Sequence, residues 1–219
     1  MPGLSAERFR AATVDAYQRL HAALAPGPAR HLVRVWNFIP GILEPLDDVP
    51  QRYMVFNAGR FEAYSAWYPD AAVFESQIAT ASGVGHDGRD LQIHALAART
   101  PGEPVENPRQ VPSYRYSRRF GPRPPCFSRA TRIRAADGEP SWLLVGGTAS
   151  ICGEDTRYQG DLAAQLDETL LNLAALVANG AGPGDSRCDI GSALERFRHL
   201  RVYVVRAADA GWVRREVTA

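Results

Sequence analysis

From Asp161 to Ala178 the chain carries its longest helical pattern, and that pattern limits the folds open to it. Leu162, Leu166, Leu170, Leu173 and Val177 recur at helical spacing, while Asp161, Gln165, Glu168 and Asn172 follow one another at steps of four, three and four. Asn179-Gly180 supplies the stop signal. A helix with one apolar face must bury it against a sheet or other helices, which points to a layered domain. The polar stripe is either the solvated face of that helix or the lining of a cleft or interface.

The rest of the chain supplies material for such layers. Ser5 caps a helix marked by Phe9, Ala12, Ala16, Leu20 and Leu24, which Pro26-Gly27-Pro28 ends. His31 to Ile39 reads as a strand, Arg52 to Asn57 as a second strand followed by a helix through Gly59 to Trp67, and Asp90 to Ala98 as a third strand. The Gly83 to Gly88 stretch reads as a loop, and Pro101 to Pro125 is too rich in proline and arginine for regular structure. Ser128 to Ala135 and Ser141 to Ile151 form a predicted hairpin around Asp137-Gly138. A Gly/Pro-rich linker follows the long helix, then a helix around Ile190 to Arg198, a strand from Leu200 to Arg206 and a final helix from Asp209. The expected architecture is α/β of the α+β kind, a mixed β-sheet with helices packed on one side. The long helix is expected to cover strands carrying Trp36, Phe56 and Ile93.

With 219 residues, 45% of them apolar, the chain can bury one substantial core without disulfides or metals. A formal charge of +1 gives no global field for nucleic acid or an anionic membrane, so any anion site must be local. Cys126, Cys152 and Cys188 form no CxxC pair and leave an odd count, which argues against a disulfide framework and a structural zinc site. No stretch approaches the ~20 apolar residues of a membrane span, and the first residues lack the apolar core of a signal peptide. A cytoplasmic protein with reduced thiols is expected.

The densest chemical signal is Tyr114 to Arg129, which holds five arginines and two tyrosines in sixteen residues. Guanidinium groups grip carboxylates bidentately and tyrosine hydroxyls complete the hydrogen-bond set, so the segment suits a small dianion; a solvated arginine loop is the plain alternative. Gly146-Gly147-Thr148-Ala149-Ser150 ends a strand with small residues that allow a ligand or a backbone to approach closely, and it lacks the lysine and spacing of a nucleotide loop. His86 reads as a base or as a turn histidine held by its own backbone, and Cys126 and Cys152 read as packing thiols.

These stretches occur in the order of a known family. Arg34-Val35-Trp36-Asn37-Phe38-Ile39-Pro40-Gly41-Ile42, Arg52-Tyr53-Met54-Val55-Phe56-Asn57-Ala58-Gly59-Arg60 and Ser82-Gly83-Val84-Gly85 resemble the chorismatase core. So do Glu106-Asn107-Pro108-Arg109-Gln110, Gly121-Pro122-Arg123-Pro124, Phe127-Ser128-Arg129-Ala130, Gly147-Thr148-Ala149-Ser150-Ile151, Gly160-Asp161 through Leu170, and Arg201-Val202-Tyr203-Val204. The resemblance implies a core like that of YjgF-type proteins and trimeric chorismate mutases, spanning 30–219 behind an N-terminal helix and linker at 1–29. It implies removal of the enolpyruvyl group of chorismate as pyruvate, leaving a dihydroxycyclohexadienoate or a hydroxybenzoate, with no metal and no organic cofactor. The substrate-binding set it implies is Tyr114, Tyr116, Arg123, Phe127, Ser128, Arg129, Gly147, Thr148, Ala149, Ser150 and Arg206. Its partner is the small molecule chorismate, not nucleic acid or membrane, and the protein is a monomer or a YjgF-like trimer.

Two departures accompany the resemblance. Family members are expected to begin with an additional N-terminal domain, which this chain would lack. The family's proton-donating glutamate is expected on a final strand that no segment after Trp212 supplies, and Glu154, Glu168, Glu195 and Glu216 lie outside its motif. The catalytic acid therefore stays unassigned, and the chain as given is expected to turn chorismate over weakly. A non-catalytic carboxylate-binding relative and a YjgF-type enamine or imine deaminase are the alternatives.

Overall fold

The structure, a computed structural model, describes residues 4–68, 70–134, 141–181 and 190–218. In chain order the elements are α1 (Ala6–Leu24), β1 (His31–Pro40), α2 (Arg52–Trp67), α3 (Ala71–Gln77), β2 (Thr80–His86), β3 (Gln92–Ala98) and β4 (Glu103–Val105). Then follow β5 (Ala130–Ile133), β6 (Trp142–Val145), β7 (Ile151–Cys152), β8 (Asp155–Thr156), α4 (Leu162–Ala181), α5 (Ile190–Leu194) and α6 (Ala210–Thr218). Three small sheets result, ordered β2-β1-β3, β4-β5-β6 and β7-β8.

The first sheet is mixed, since β1 runs parallel to β2 and antiparallel to β3. Parallel pairing requires a crossover, which α2 and α3 provide. Here the sequence reading fails. Arg52 to Asn57 is the first part of α2, not a strand, because its buried positions Arg52, Val55, Phe56, Gly59, Arg60, Ala63 and Tyr64 recur with the helical period. A short β-branched and aromatic run does not by itself decide between the two. Of the expected Gly83 to Gly88 loop, Gly83 to His86 instead complete a strand that begins at Thr80, whose first residues are buried beside β1.

One face of this sheet is covered by α1 and α2. Tyr17 of α1 is fully buried, its hydroxyl donating to Asn37 Oδ1 on β1 at 2.8 Å, and Asn37 Nδ2 donates on to the Ser82 carbonyl of β2 at 3.2 Å. Its ring meets Tyr64 and Trp67 at centroid distances of 5.3 and 5.9 Å. The two helices cross closely at Gly59, where a Cβ would stand 2.7 Å from the Arg10 carbonyl oxygen.

The second sheet contains the expected hairpin, β5 pairing antiparallel with β6; its turn at Asp137-Gly138, the linker after Gly180 and Cys188 lie outside the described residues. The expected long helix is α4, but it covers this sheet and not the first. Leu176 packs with Val105, Ala130, Leu143 and Val145, while the first sheet's core draws on α1 and α2. The expectation that α4 covers the strands carrying Trp36, Phe56 and Ile93 is thus overturned: Ile93 packs on the core built with α1 and α2, Phe56 lies in α2 itself, and Trp36 lines an open cleft. Leu200 to Arg206 is also no strand. It has no ladder partner among the described residues, and Val205 is 99% exposed. β-propensity without a neighbour does not make a strand.

Candidate functional site

The two sheets meet where β2 begins. The Thr80 amide donates to Thr131 Oγ1 at 3.1 Å, Thr80 Oγ1 donates to the Arg129 carbonyl at 3.1 Å, and Ser128 N–H donates to Ala79 O at 3.3 Å. The chain after β6 runs into the same junction, with Gly146 N–H donating to Arg129 O at 2.8 Å and Gly147 N–H to Ala81 O at 3.2 Å. A Cβ on Gly146 would lie 2.9 Å from Arg129 O and 3.1 Å from Ala81 O, so the junction closes only over glycine. Beside it opens a cleft of about 2290 Å³.

Arg129 stands in the wall of this cleft at 2% exposure. Its Nη2 donates to Tyr116 Oη at 2.6 Å and to Val111 O at 3.0 Å, and its guanidinium lies over the rings of Tyr116 and Phe127 at 5.6 and 5.3 Å. Its Nε has no partner, and neither does Thr148 Oγ1, also buried in the wall. Among the described residues Arg129 makes no salt bridge; Glu106 feels its charge, but burial pushes that carboxyl toward its neutral form, so the buried cation is left for a ligand to complete.

Of the sequence-derived set, Tyr116, Phe127, Arg129, Gly147, Thr148, Ala149 and Ser150 line the cleft together. The other four are engaged elsewhere. Tyr114 packs edge-on against Phe74 at 5.8 Å, and Arg123 lies over Phe61 at 5.0 Å. Ser128 donates to Ile78 O at 3.1 Å, and Arg206 pairs with Asp209 at 2.8 Å. His86 is the turn histidine, its Nδ1 accepting from Gly88 N–H at 3.1 Å and its Nε2 lying 3.0 Å from Asp90 O. Burial pushes the Cys126 thiol up to about 12, as a packing thiol requires.

The polar stripe of α4 proves to be an interface at its centre. Glu168 accepts from Arg109 Nη2 at 2.5 Å; Asn172 accepts from Arg109 Nε at 2.9 Å and donates to Ala149 O and Ile151 O at 3.0 and 2.9 Å. α4 thereby props the far end of the Gly146 to Ser150 run.

Two groups escaped the sequence reading. Arg34, on β1, is 6% exposed and also lines the cleft, though its alternating-strand context looks like ordinary sheet. Glu106 sits behind Arg129 with both carboxylate oxygens buried; burial pushes it up to about 7, outweighing the charge and the backbone N–H of Arg129. Only the unusual density of arginines hinted that some would be buried.

Fold and cleft together define an α+β protein whose cleft is walled by buried arginine, aromatic rings and small residues. Residues 3–97 match the family model described as chorismatase FkbO/Hyg5-like, N-terminal. A 3-hydroxybenzoate synthase from Streptomyces hygroscopicus is 36% identical over 210 residues, 94% of this chain and 60% of the relative. A chorismatase from Streptomyces rapamycinicus is 36% identical over 211 residues, covering 95% of this chain and 61% of its own. A crystal structure of a chorismatase superposes with a TM-score of 0.83 at 31% identity, across 97% of this chain and 62% of that one. The chain is similar to chorismatases over nearly its whole length. It spans about six tenths of the length of these relatives. The match at 3–97 runs against the expectation that the chain begins beyond the family's N-terminal region. Among the described residues no helix is long and apolar enough to cross a membrane.

Proposed function

We propose that this chain acts in the chorismatase reaction, removing the enolpyruvyl group of chorismate as pyruvate, with the Arg129 cleft holding the substrate. The carrying observation is Arg129 itself: a buried guanidinium, oriented by Tyr116 and Val111, with an unpartnered Nε and no salt bridge among the described residues. A substrate carboxylate completes that set, and a charge-assisted pair in a dry wall is stronger than one in water. Gly147 to Ser150 let the ring approach the backbone. Protonation of the enolpyruvyl methylene carbon then gives an oxocarbenium ion; water adds to its cationic carbon and the hemiketal C–O bond breaks, releasing pyruvate and a dihydroxycyclohexadienoate, or, with net loss of that water and aromatisation, a hydroxybenzoate. The relatives' names favour this chemistry over enamine deamination or binding alone.

Calorimetric titration with chorismate, alongside a lactate dehydrogenase-coupled assay for pyruvate, tests the reading. Arg129→Ala should weaken binding by roughly 1.5–3 kcal/mol, the range for hydrogen bonds to charged groups. Arg123→Ala, whose parent side chain lies over Phe61, should leave affinity within about twofold. Equal affinity in wild type and Arg129→Ala would remove the site. We place the protein in the cytoplasm, consistent with free Cys126 and Cys152, and light scattering separates a monomer from a YjgF-like trimer.

A further inference from the structure

Arg60 is as buried as Arg129 but lies outside the cleft lining. It is 1% exposed on α2, its guanidinium lies over the rings of Phe56 and Phe127 at 5.1 and 5.8 Å, and its Nη2 donates to Asn57 Oδ1 at 3.0 Å. Its Nε has no hydrogen-bond partner, and among the described residues Arg60 makes no salt bridge. Arg52, buried on the same helix, differs in holding Glu44 at 3.0 Å. Two further groups share the condition of Arg60. Asn57, Arg60 and Tyr64 follow one another at steps of three and four on one face of α2, all of them buried. Asn57 Nδ2 and Tyr64 Oη are buried without partners, as Arg60 Nε is.

All three of these groups can donate, and nothing beside them is an anion at neutral pH. The ionisable neighbours of Arg60 are Tyr17, Tyr53, Tyr64 and Cys126. Burial pushes the Cys126 thiol up to about 12 and lifts the Tyr17 and Tyr64 hydroxyls above their ordinary range. Water satisfies such a set poorly: one molecule accepts two hydrogen bonds and brings no charge, which leaves a donor over and the buried guanidinium uncompensated. A monovalent anion accepts from all three and cancels the charge. It also offsets the repulsion between two buried cations, because Arg129 lies over the same Phe127 ring at 5.3 Å. Asn57 and Phe127 line the cleft while Arg60 and Tyr64 do not, so the site sits one side chain behind the wall that a substrate meets. We infer that Asn57 Nδ2, Arg60 Nε and Tyr64 Oη bind a small inorganic anion of the halide class, chloride in the cell. The inference does not rest on the function proposed above.

Urea denaturation in mixtures of sodium bromide and sodium gluconate, held at one ionic strength, reads the site. Bromide should stabilise the wild type, and each tenfold rise past half-saturation should lower the unfolding constant about tenfold, since one ion binds the folded state alone. Gluconate is too large for a buried site and serves as the reference. Arg60→Met should remove the bromide dependence and Tyr64→Phe should weaken it, whereas Arg129→Ala should keep it. Asn57→Asp brings a carboxylate to Arg60 in place of the ion, so that variant should ignore bromide and exceed the wild type in stability in gluconate. Crystals soaked in sodium bromide should show an anomalous peak among the three donors. A wild type equally stable in both salts, with water at that place and no anomalous peak, overturns the inference. So does a bromide dependence that Arg129→Ala abolishes and Asn57→Asp retains, which puts the ion in the cleft instead. Should Arg60→Met fail to fold, Tyr64→Phe and Asn57→Asp decide on the same criterion. Chorismate binding at Arg129 can succeed or fail without altering either result.

Discussion

Replacing Glu106 by glutamine should stabilise the protein at pH 8 and change little at pH 4.5. Both oxygens of Glu106 are buried; the Arg129 charge and backbone N–H and the Arg115 charge favour ionisation, and Glu75 opposes it. Burial wins, lifting the carboxyl from its ordinary 4.5 to about 7. Between those values the folded protein keeps a proton that the unfolded chain has released, so stability falls as pH rises through the window and levels off above about 7. Below 4.5 both states are protonated and the penalty vanishes. At ~1.4 kcal/mol per pKa unit, the full gap sets a ceiling of about 3 kcal/mol. Glutamine is a neutral isostere that never bears the penalty. Urea denaturation of both proteins at steps from pH 4.5 to 8.5 reads the difference directly, since every other titrating group cancels. A difference that stays flat with pH, or a glutamine variant less stable at pH 8, would refute the burial argument.

Other substitutions probe the frame around the cleft. Gly146→Ala drives a Cβ against Arg129 O at 2.9 Å and Ala81 O at 3.1 Å, backbone atoms that cannot swing aside; denaturant melts should show a loss of about 1–3 kcal/mol, as for overpacking. Tyr17→Phe removes the hydroxyl that donates to buried Asn37 Oδ1, and the orphaned acceptor should cost about 1–3 kcal/mol in the same assay. Asn172→Ala strips the donor to Ala149 O and Ile151 O and the acceptor for Arg109 Nε; a loss of about 2 kcal/mol or more is expected, with faster amide exchange at residues 149–151.

The elements read correctly from sequence are those whose signal is local. α1 and α4 announce themselves by long apolar periods and stop signals, and the β5–β6 hairpin by two β-rich runs flanking Asp137-Gly138. The errors fall where a partner decides. Arg52 to Asn57 has strand-like composition, but its burial follows α2's contact with α1. Leu200 to Arg206 has the same composition and no ladder partner among the described residues. Gly83 to His86 looks like part of a glycine loop and becomes strand because β1 lies alongside it.

The site divides along the same line. A cluster of arginines in sequence shows that some anion or acid must meet them, but it does not show which are buried, and burial is what turns a guanidinium into a binding group. Arg115 and Arg119 in that cluster pair with Glu75, Glu154 and Asp155 on the exposed surface, where such bridges contribute little. Arg123 lies over a ring. Only Arg129 of the five is buried in the wall, and among the described residues it makes no salt bridge. Arg34, nearly a hundred residues earlier, shares that condition because two sheets bring β1 and the Gly146 to Ser150 run to one cleft. Buried charge alone does not pick out the site, since Arg60 is 1% exposed and makes no salt bridge among the described residues yet lies outside the cleft lining; burial together with a place in the cleft wall does, and residue type and spacing do not carry either.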